Sequence, residues 1–459
     1  MHAEKSTVVA LVSLGCPKNL IDSEAMLGAL ATAGCVVSLD MADADVVVIN
    51  TCGFLDAARA ESMEVVAEAL ALKAAGTVRR IVVAGCLAQR DGEAIRAAAP
   101  GVDAIVGVNN RDDLIKAVLG EAPVTLTETY AQAVRAAGFP VVADDTGRLR
   151  LTPAHTAYLR ISEGCSQGCS FCTIPAIRGP FRSKPFERVL AEARELAADG
   201  AVELNVIGQD TTGYGQDLPD GTDLAALLRA LDGLEGPRWI RVMYAYPTGV
   251  TDAVIEAMAS CRKVVPYLDV PLQHIADGVL QRMGRRTTRA ATEALLAKLR
   301  ERIEGIAIRT TFIVGFPGET EAQFEELLDF VRAFRFDAMG VFAYSSEAGT
   351  PAARLDGAVP AEVADRRVET LMLAQQAIAF EAGDARAGET LEVLVDGIDP
   401  DGRCLGRHAG QAPDVDSVCY LTDPLEAGRI VPARVVGREG YDLIVRPAGG
   451  GRATGRRRK

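Results

Sequence analysis

The chain has 459 residues, of which 49% are hydrophobic and 24% are charged, and its formal net charge is -13. This balance excludes an intrinsically disordered protein, and the length allows roughly three domains of ordinary size. The acidic charge disfavours binding by broad neutralisation of nucleic-acid phosphates and fits a basic protein partner better. No apolar run reaches the roughly 18 to 20 residues of a membrane span, so we expect a cytoplasmic protein without membrane contact.

Residues 6–121 alternate short apolar strands with helical stretches, a pattern typical of βαβ units and a parallel sheet. Three strands stand out, and each is followed within a few residues by a cysteine: 8–13 by Cys16, 46–50 by Cys52 and 81–84 by Cys86. Ligands of open α/β sheets bind beyond the carboxyl ends of the strands. We therefore predict that these three cysteines converge on one rim as a ligand set.

Residues 122–150 lack strong periodicity and contain glycine, proline and aspartate, which predicts a linker with a little strand structure. Residues 151–382 alternate strands and helices again. Six apolar strands in this segment predict an open, partial (β/α)6 barrel of the TIM-like kind; they cover 157–161, 204–207, 240–245, 267–270, 311–314 and 341–344.

Short strands without helices follow in residues 383–446 and predict a small β-barrel; they cover 391–395, 418–421, 430–436 and 443–445. Residues 447–459 hold glycines and end in Arg456, Arg457, Arg458 and Lys459, a composition typical of a disordered basic tail. The predicted fold class is therefore α/β, with an N-terminal parallel sheet domain, a central partial barrel and a C-terminal small β-barrel.

The strongest motif lies directly after the first strand of the central segment, where three cysteines have CxxxCxxC spacing: Cys165, Cys169 and Cys172. The chain shows no export signal, so we expect a reducing compartment in which clustered thiols bind metal rather than pair. A 4Fe-4S cube normally takes four cysteines, so three thiolates leave one iron open to a substrate. The alternative is a zinc or redox site, but zinc sites usually combine paired CxxC knuckles with a fourth ligand.

This spacing resembles the radical S-adenosylmethionine superfamily, whose members bind the cofactor at the open iron. The resemblance implies that Cys165, Cys169 and Cys172 hold the catalytic cluster and that cleavage of S-adenosylmethionine supplies a 5'-deoxyadenosyl radical. Phe171 is a candidate adenine contact or, alternatively, a hydrophobic plug that shields the cluster. The candidate cofactor contacts also include Gln209, otherwise a loop cap, and Gly315 and Gly318, otherwise an ordinary turn.

The two cysteine sets and the small β-barrel together resemble the methylthiotransferases over residues 6–446. The resemblance implies that Cys16, Cys52 and Cys86 hold a second 4Fe-4S cluster and that the barrel is a TRAM domain, which contacts the substrate. It implies a two-stage reaction, in which one S-adenosylmethionine methylates a sulfur at this second cluster and another supplies the radical that activates the target carbon. The reducing electrons would come from a flavodoxin or ferredoxin.

Within this family, segment 15–19 (Gly-Cys-Pro-Lys-Asn) is similar to the branch that modifies the β-carbon of an aspartate in ribosomal protein S12. Segments 161–165, 209–215 and 271–274 agree with that branch. Residues 386–446 contain eleven Asp or Glu and seven Arg, a local charge of -4 that fits a basic protein substrate. The alternatives are a transfer-RNA adenosine methylthiotransferase and a non-catalytic iron-sulfur carrier.

Three further features have ordinary structural explanations. We expect His274 to be a hydrogen-bonded structural histidine rather than a ligand contact. The basic cluster of Arg282, Arg285, Arg286 and Arg289 is typical of a solvated helix face. The remaining cysteines should behave as small core hydrophobes; they are Cys35, Cys261, Cys404 and Cys419.

Overall fold

The computed structural model of the protein describes residues 6–121, 125–137, 142 and 144–448. Its N-terminal part is a parallel sheet of the strands β1 (Val8–Ser13), β2 (Val36–Ser38), β3 (Val46–Thr51), β4 (Arg80–Gly85), β5 (Ala104–Gly107) and β6 (Thr125–Leu126), in the spatial order β2-β1-β3-β4-β5-β6. The helices of this part are α1 (Pro17–Thr32), α2 (Asp56–Ala74), α3 (Cys86–Ala98) and α4 (Leu114–Leu119). All six residues of β3 are buried, as expected of a central strand covered on both faces.

The segment predicted as a linker has more regular structure than expected. It contains β6 and the helix α5 (Tyr130–Ala137), and its Asp145 is buried between three cations. Oxygens of Asp145 lie 3.0 Å from Arg111, 2.6 Å from Arg160 and 2.5 Å from Lys184. These charges explain why Asp145 is buried although most described residues around it are exposed, because a buried carboxylate requires paired charge. The predicted linker positions 122–124, 138–141 and 143 lie outside the described residues.

The central part is an open parallel sheet, and its strands are β7 (Thr156–Arg160), β8 (Ser162–Glu163), β9 (Arg182–Ser183), β10 (Glu203–Ile207), β11 (Trp239–Val242), β12 (Val264–Asp269), β13 (Ala307–Val314) and β14 (Ala338–Ala343). The spatial order is β14-β13-β12-β11-β10-β7, and β8 and β9 form a separate pair. The helices are α6 (Ile174–Arg178), α7 (Phe186–Ala198), α8 (Leu224–Asp232), α9 (Asp252–Ser260), α10 (Asp277–Arg282), α11 (Arg289–Arg302) and α12 (Glu321–Phe334). The predicted partial barrel is confirmed, with strand ends shifted by a few residues.

The long helix α13 (Ala361–Ala385) leads into a closed β-barrel, which confirms the predicted C-terminal architecture. Its strands are β15 (Thr390–Ile398), β16 (Cys404–His408), β17 (Cys419–Leu421), β18 (Ile430–Glu439) and β19 (Asp442–Pro447), in the order β15-β16-β17-β19-β18. Strand β16 was not predicted. The predicted basic tail lies outside the described residues from position 449 onward.

The three parts pack against one another. Ile21 of α1, Tyr158 and Tyr267 of the central sheet and Ala412 of the barrel belong to one buried apolar cluster. Glu203 of β10 binds Arg407 of the barrel at 2.7 Å, which adds a buried ion pair to this junction. Among the described helices, none combines the length and apolarity needed to cross a membrane.

Candidate active site

A cavity of about 360 Å³ lies between the N-terminal sheet and the central sheet. Both predicted cysteine sets line it: Cys16, Cys52, Cys86, Cys165, Cys169 and Cys172. All six are free thiols. The structure therefore brings together, in one chamber, two sets of cysteines that are far apart in the sequence.

The N-terminal cysteines meet because they follow three adjacent parallel strands. Cys16 immediately precedes α1, Cys52 follows β3, and Cys86 is the first residue of α3 after β4. Gly15 allows the turns to approach, since a Cβ on it would lie 2.7 Å from Cβ of Cys52. The buried side chain of Asn19 donates hydrogen bonds to the carbonyls of Leu14 at 2.7 Å and Asn50 at 3.2 Å, which ties α1 to the strand ends.

The central cysteines lie on the loop between β8 and α6, and this loop is anchored at several points. The Ser170 amide donates to the carbonyl of Met283 at 2.8 Å, and the Cys172 amide donates to that of Cys169 at 3.2 Å. The side-chain amide of Gln167 donates to Asp210 at 2.6 Å. The loop is thus held in one shape by a hydrogen bond within it and by bonds from its backbone and side chains to neighbouring elements.

The arrangement of the six chamber thiols fits multi-iron clusters better than a single metal ion. Burial raises the pKa of Cys86 to about 12, of Cys165 to about 11 and of Cys172 to about 12. Metal ligands must be thiolates, and coordination itself removes the proton. Among the described residues, no three Cys, His, Asp or Glu side chains are placed to hold a single ion. Two separated sets of three free thiols fit multi-iron clusters better than a mononuclear site.

Arg178 links the two halves of the chamber. Its Nη2 lies 3.1 Å from Sγ of Cys86, and its Nη1 lies 2.7 Å from Asp22 and 3.1 Å from Glu163. Burial would raise the pKa of Glu163, but the charges of Arg160 and Arg178 outweigh it and lower that pKa to about 2. The guanidinium provides positive charge beside a thiol that would become a thiolate ligand.

Two tyrosines just beyond β11 each hold a cation in the chamber. The ammonium of Lys18 lies 2.8 Å from the ring centre of Tyr244, and the guanidinium carbon of Arg285 lies 4.1 Å from that of Tyr246. Arg285 also lies 3.8 Å from Sγ of Cys169. Burial lowers the pKa of Lys18 to about 8, although the nearby Cys16 and Asp269 partly oppose that shift. These contacts are cation–π interactions in a desolvated setting.

Two of the four predicted cofactor contacts line the chamber, namely Phe171 and Gln209. Phe171 also packs edge-on against Phe316, with ring centres 6.4 Å apart, and Gln209 donates to Glu163 at 2.9 Å. Gly315 and Gly318 do not line it. A Cβ on Gly315 would lie 2.5 Å from Cβ of Ala364 on α13, so this turn packs against that helix. The roles of all four residues in cofactor binding stay predictions.

His274 is a buried structural histidine, as expected, and its ring lies 3.3 Å from Glu319.

The expectation of a solvated face for the basic cluster is wrong for Arg285. Helix α10 ends at Arg282, so Arg285 lies in the following turn and points into the chamber, where it is 8% exposed. Cys35, Cys404 and Cys419 are buried as expected, and Cys261 is partly buried.

Two cations and two tyrosines of the chamber were not predicted individually, and they are Lys18, Arg178, Tyr244 and Tyr246. Lys18 entered only as part of segment 15–19. A signal for the tyrosines was present, because they directly follow a predicted barrel strand, where barrel proteins place functional groups. The position of Arg178 depends on a contact with the N-terminal sheet that no local pattern encodes.

Comparison with known proteins agrees with this architecture. Residues 159–331 match the Radical SAM superfamily, residues 8–107 match uncharacterized protein family UPF0004, and residues 387–447 match the TRAM domain. Among solved structures, the radical S-adenosylmethionine methyltransferase TsrM from Kitasatospora setae aligns with a TM-score of 0.55 over 84% of this chain and 78% of that one. At 17% identity this likeness shows the fold alone. The fold and the cysteine-lined chamber thus define a protein of the radical S-adenosylmethionine class.

Relatives with high sequence identity show to which family of this class the chain belongs. The ribosomal protein uS12 methylthiotransferase RimO of Geotalea uraniireducens is 43% identical over 95% of this chain and 97% of its own length. The protein of the same name from Pelotomaculum thermopropionicum is 45% identical over 95% of this chain and 98% of its own. The chain belongs to the RimO family of methylthiotransferases.

Proposed function

We propose that this chain is a radical S-adenosylmethionine methylthiotransferase that adds a methylthio group to the β-carbon of an aspartate in ribosomal protein uS12. The observation that carries the proposal is the single chamber lined by both cysteine trios. Two 4Fe-4S clusters and S-adenosylmethionine, when bound, supply the radical and the methylated sulfur. A shared chamber fits this chemistry because a radical and a sulfur donor must reach the same carbon.

The chain's own residues hold and shield these groups. Cys165, Cys169 and Cys172 would bind the cluster that takes S-adenosylmethionine, and Cys16, Cys52 and Cys86 the second cluster. Arg178 and Arg285 place positive charge beside Cys86 and Cys169, where thiolates carry negative charge. The chamber wall also includes the apolar side chains of Phe171, Ile174 and Ile177, which limit the access of water to a reactive radical.

The domain assignment is part of this proposal. Residues 6–121 form the methylthiotransferase domain, 122–150 the linker, 151–382 the radical core and 383–446 the TRAM domain, which presents the acidic surface for a basic protein. We further propose that the protein acts in the cytoplasm and takes electrons from a flavodoxin or ferredoxin. The matches to the three family descriptions, at residues 8–107, 159–331 and 387–447, support this division.

The test is mass spectrometry of two substrates given to the reconstituted enzyme with S-adenosylmethionine and a reductant. Ribosomal protein uS12 should gain about 46 daltons on one aspartate, the mass of a methylthio group in place of hydrogen. Transfer RNA, treated in parallel, should stay unchanged. Modified adenosine in place of modified protein would move the assignment to the transfer-RNA branch, and no modification of either would refute the proposal.

Cysteine variants test the metal assignment independently of activity. Cys52→Ala and Cys169→Ala should each lose one cluster, so that bound iron falls from about eight to about four atoms per chain. Cys404→Ala is the matched control, since Cys404 is a buried cysteine of the barrel outside the chamber, and it should keep the full iron content. Full iron in either of the first two variants would contradict the ligand assignment.

A further inference from the structure

Lys18 is a buried cation that forms an ion pair with none of the described carboxylates, although Asp269 and Glu163 lie near enough to raise its pKa. It is 7% exposed, it lines the chamber, and its ammonium rests on the ring of Tyr244. Within the part of the chain that the structure describes, no carboxylate lies within ion-pair distance of it. A buried ammonium is costly unless charge or hydrogen bonds compensate it, so this arrangement points to a ligand.

The acidic groups near Lys18 are already paired with arginines. Asp22 binds Arg160 and Arg178, each at 2.7 Å, and Glu163 binds Arg160 at 2.9 Å. Asp269 binds Arg309 at 3.1 Å. Each of these carboxylates is therefore engaged with an arginine, so Lys18 can take further negative charge from the Cys16 thiolate or from a bound anion.

The ring under Lys18 is held in place by a strained backbone. Tyr244 has a φ of 60°, which is rare for a bulky residue, and its amide donates to the carboxylate of Asp269 at 3.1 Å. Such strain persists only where the surroundings enforce it, and it concentrates at functional sites. The protein thus fixes the ammonium at one point of the chamber instead of leaving it free to reach solvent.

We propose that Lys18 binds the carboxylate of the substrate aspartate and selects aspartate over uncharged residues. This inference rests on the proposed function. The carboxylate of aspartate is bonded directly to its β-carbon, so a cation that holds the carboxylate also positions the carbon to be modified. Lys18 lies two residues from Cys16, whereas the second unpaired cation, Arg285, lies beside Cys169 at the other trio.

The test compares the binding of two peptides, one with aspartate and one with asparagine, to the wild-type enzyme and to variants of Lys18. A fluorescent uS12 peptide carries either the target aspartate or asparagine, which is similar in shape but uncharged. Its dissociation constant is measured by anisotropy with the reconstituted wild-type enzyme, with Lys18→Met and with Lys18→Gln. We expect the wild type to prefer the aspartate peptide by about 10- to 100-fold, the usual range for a hydrogen bond to a charged group. Both variants should bind the two peptides equally and at the weaker affinity.

The controls separate this role from charge compensation of a cluster and from simple misfolding. Lys116→Met removes an exposed lysine and should keep the wild-type preference. Lys18→Arg retains the charge and should keep most of the preference. The inference is overturned if Lys18→Met or Lys18→Gln still prefers the aspartate peptide, whether or not iron content or affinity for S-adenosylmethionine falls. A wild type that binds the aspartate peptide but never methylthiolates it would instead refute the proposed function.

Discussion

Nη2 of Arg178 lies 3.1 Å from Sγ of Cys86, although one residue belongs to the central part of the chain and the other to the N-terminal part. Arg178 ends helix α6, which follows the central cysteine loop, and Cys86 begins α3 beyond the N-terminal sheet. The guanidinium also binds Asp22 of the N-terminal part and Glu163 of the central part. One buried side chain therefore connects the two parts of the chain that carry the cysteine trios.

Replacing Arg178 by methionine should destabilise the apoprotein. The substitution leaves Asp22 and Glu163 with Arg160 as their shared cation, and removal of one partner from a buried charge network costs about 3 kcal/mol or more. The measurement is the unfolding midpoint in urea. The matched control is Arg289→Met, which breaks half-exposed ion pairs with Glu293 and Glu326 and should change the midpoint little. Equal effects of the two substitutions would contradict a structural role for the buried network.

The convergence of Cys16, Cys52 and Cys86 could be predicted because it depends on local patterns. Each cysteine follows an apolar strand, and parallel strands end at the same edge of their sheet. The pairing of Lys18 with Tyr244 could not be predicted, because hydrophobic periodicity contains no information on which distant side chains meet. The same limit applies to Arg285, which was predicted on a solvated helix face but lies beyond the end of α10 and points into the chamber. It also applies to Asp145, which was predicted as part of a linker but is surrounded by three cations from distant segments.

Glu203 should make the stability of the junction between the central sheet and the barrel depend on pH. Burial alone would raise its pKa, but the charges of Arg407 and Arg241 outweigh burial and lower the pKa from its usual 4.5 to about 2. A lowered pKa in the folded state stabilises the protein above pH 4.5, and that stabilisation is lost as the pH falls towards 2. At pH 7 the contribution is roughly 3 kcal/mol.

Glu203→Gln tests this expectation by denaturant unfolding of the apoprotein at pH 7, 5 and 3.5. The variant should be less stable than the wild type by a constant amount at the two higher pH values, and the difference should shrink at the lowest. Glu389→Gln serves as the control, because Glu389 is a partly exposed residue 3.7 Å from Arg386 and should change stability little. A difference that grew as the pH fell would mean that the carboxylate of Glu203 destabilises the junction.

Gly85 should be required for the position of Cys86. Its φ of 95° and ψ of -155° are accessible to glycine and strained for other residues, and it directly precedes the cysteine. A Cβ at this position would also lie 2.7 Å from the carbonyl oxygen of Thr51 on the neighbouring strand. Gly85→Ala must therefore move either β3 or the start of α3, and with it the thiol of Cys86.

Gly76→Ala is the control that separates backbone strain from the clash of the new Cβ with β3. Gly76 has a similar φ of 80°, but nothing lies within 4 Å of a Cβ placed on it, so its substitution costs only the backbone strain of about 1 to 2 kcal/mol. We expect Gly76→Ala to lower the thermal midpoint slightly and to keep full iron content after reconstitution. Gly85→Ala should lower the midpoint further and lose about half of the iron, because only the trio of Cys165, Cys169 and Cys172 stays intact. If both variants kept full iron, the close approach of β3 and β4 at Gly85 would not be what positions Cys86 for metal.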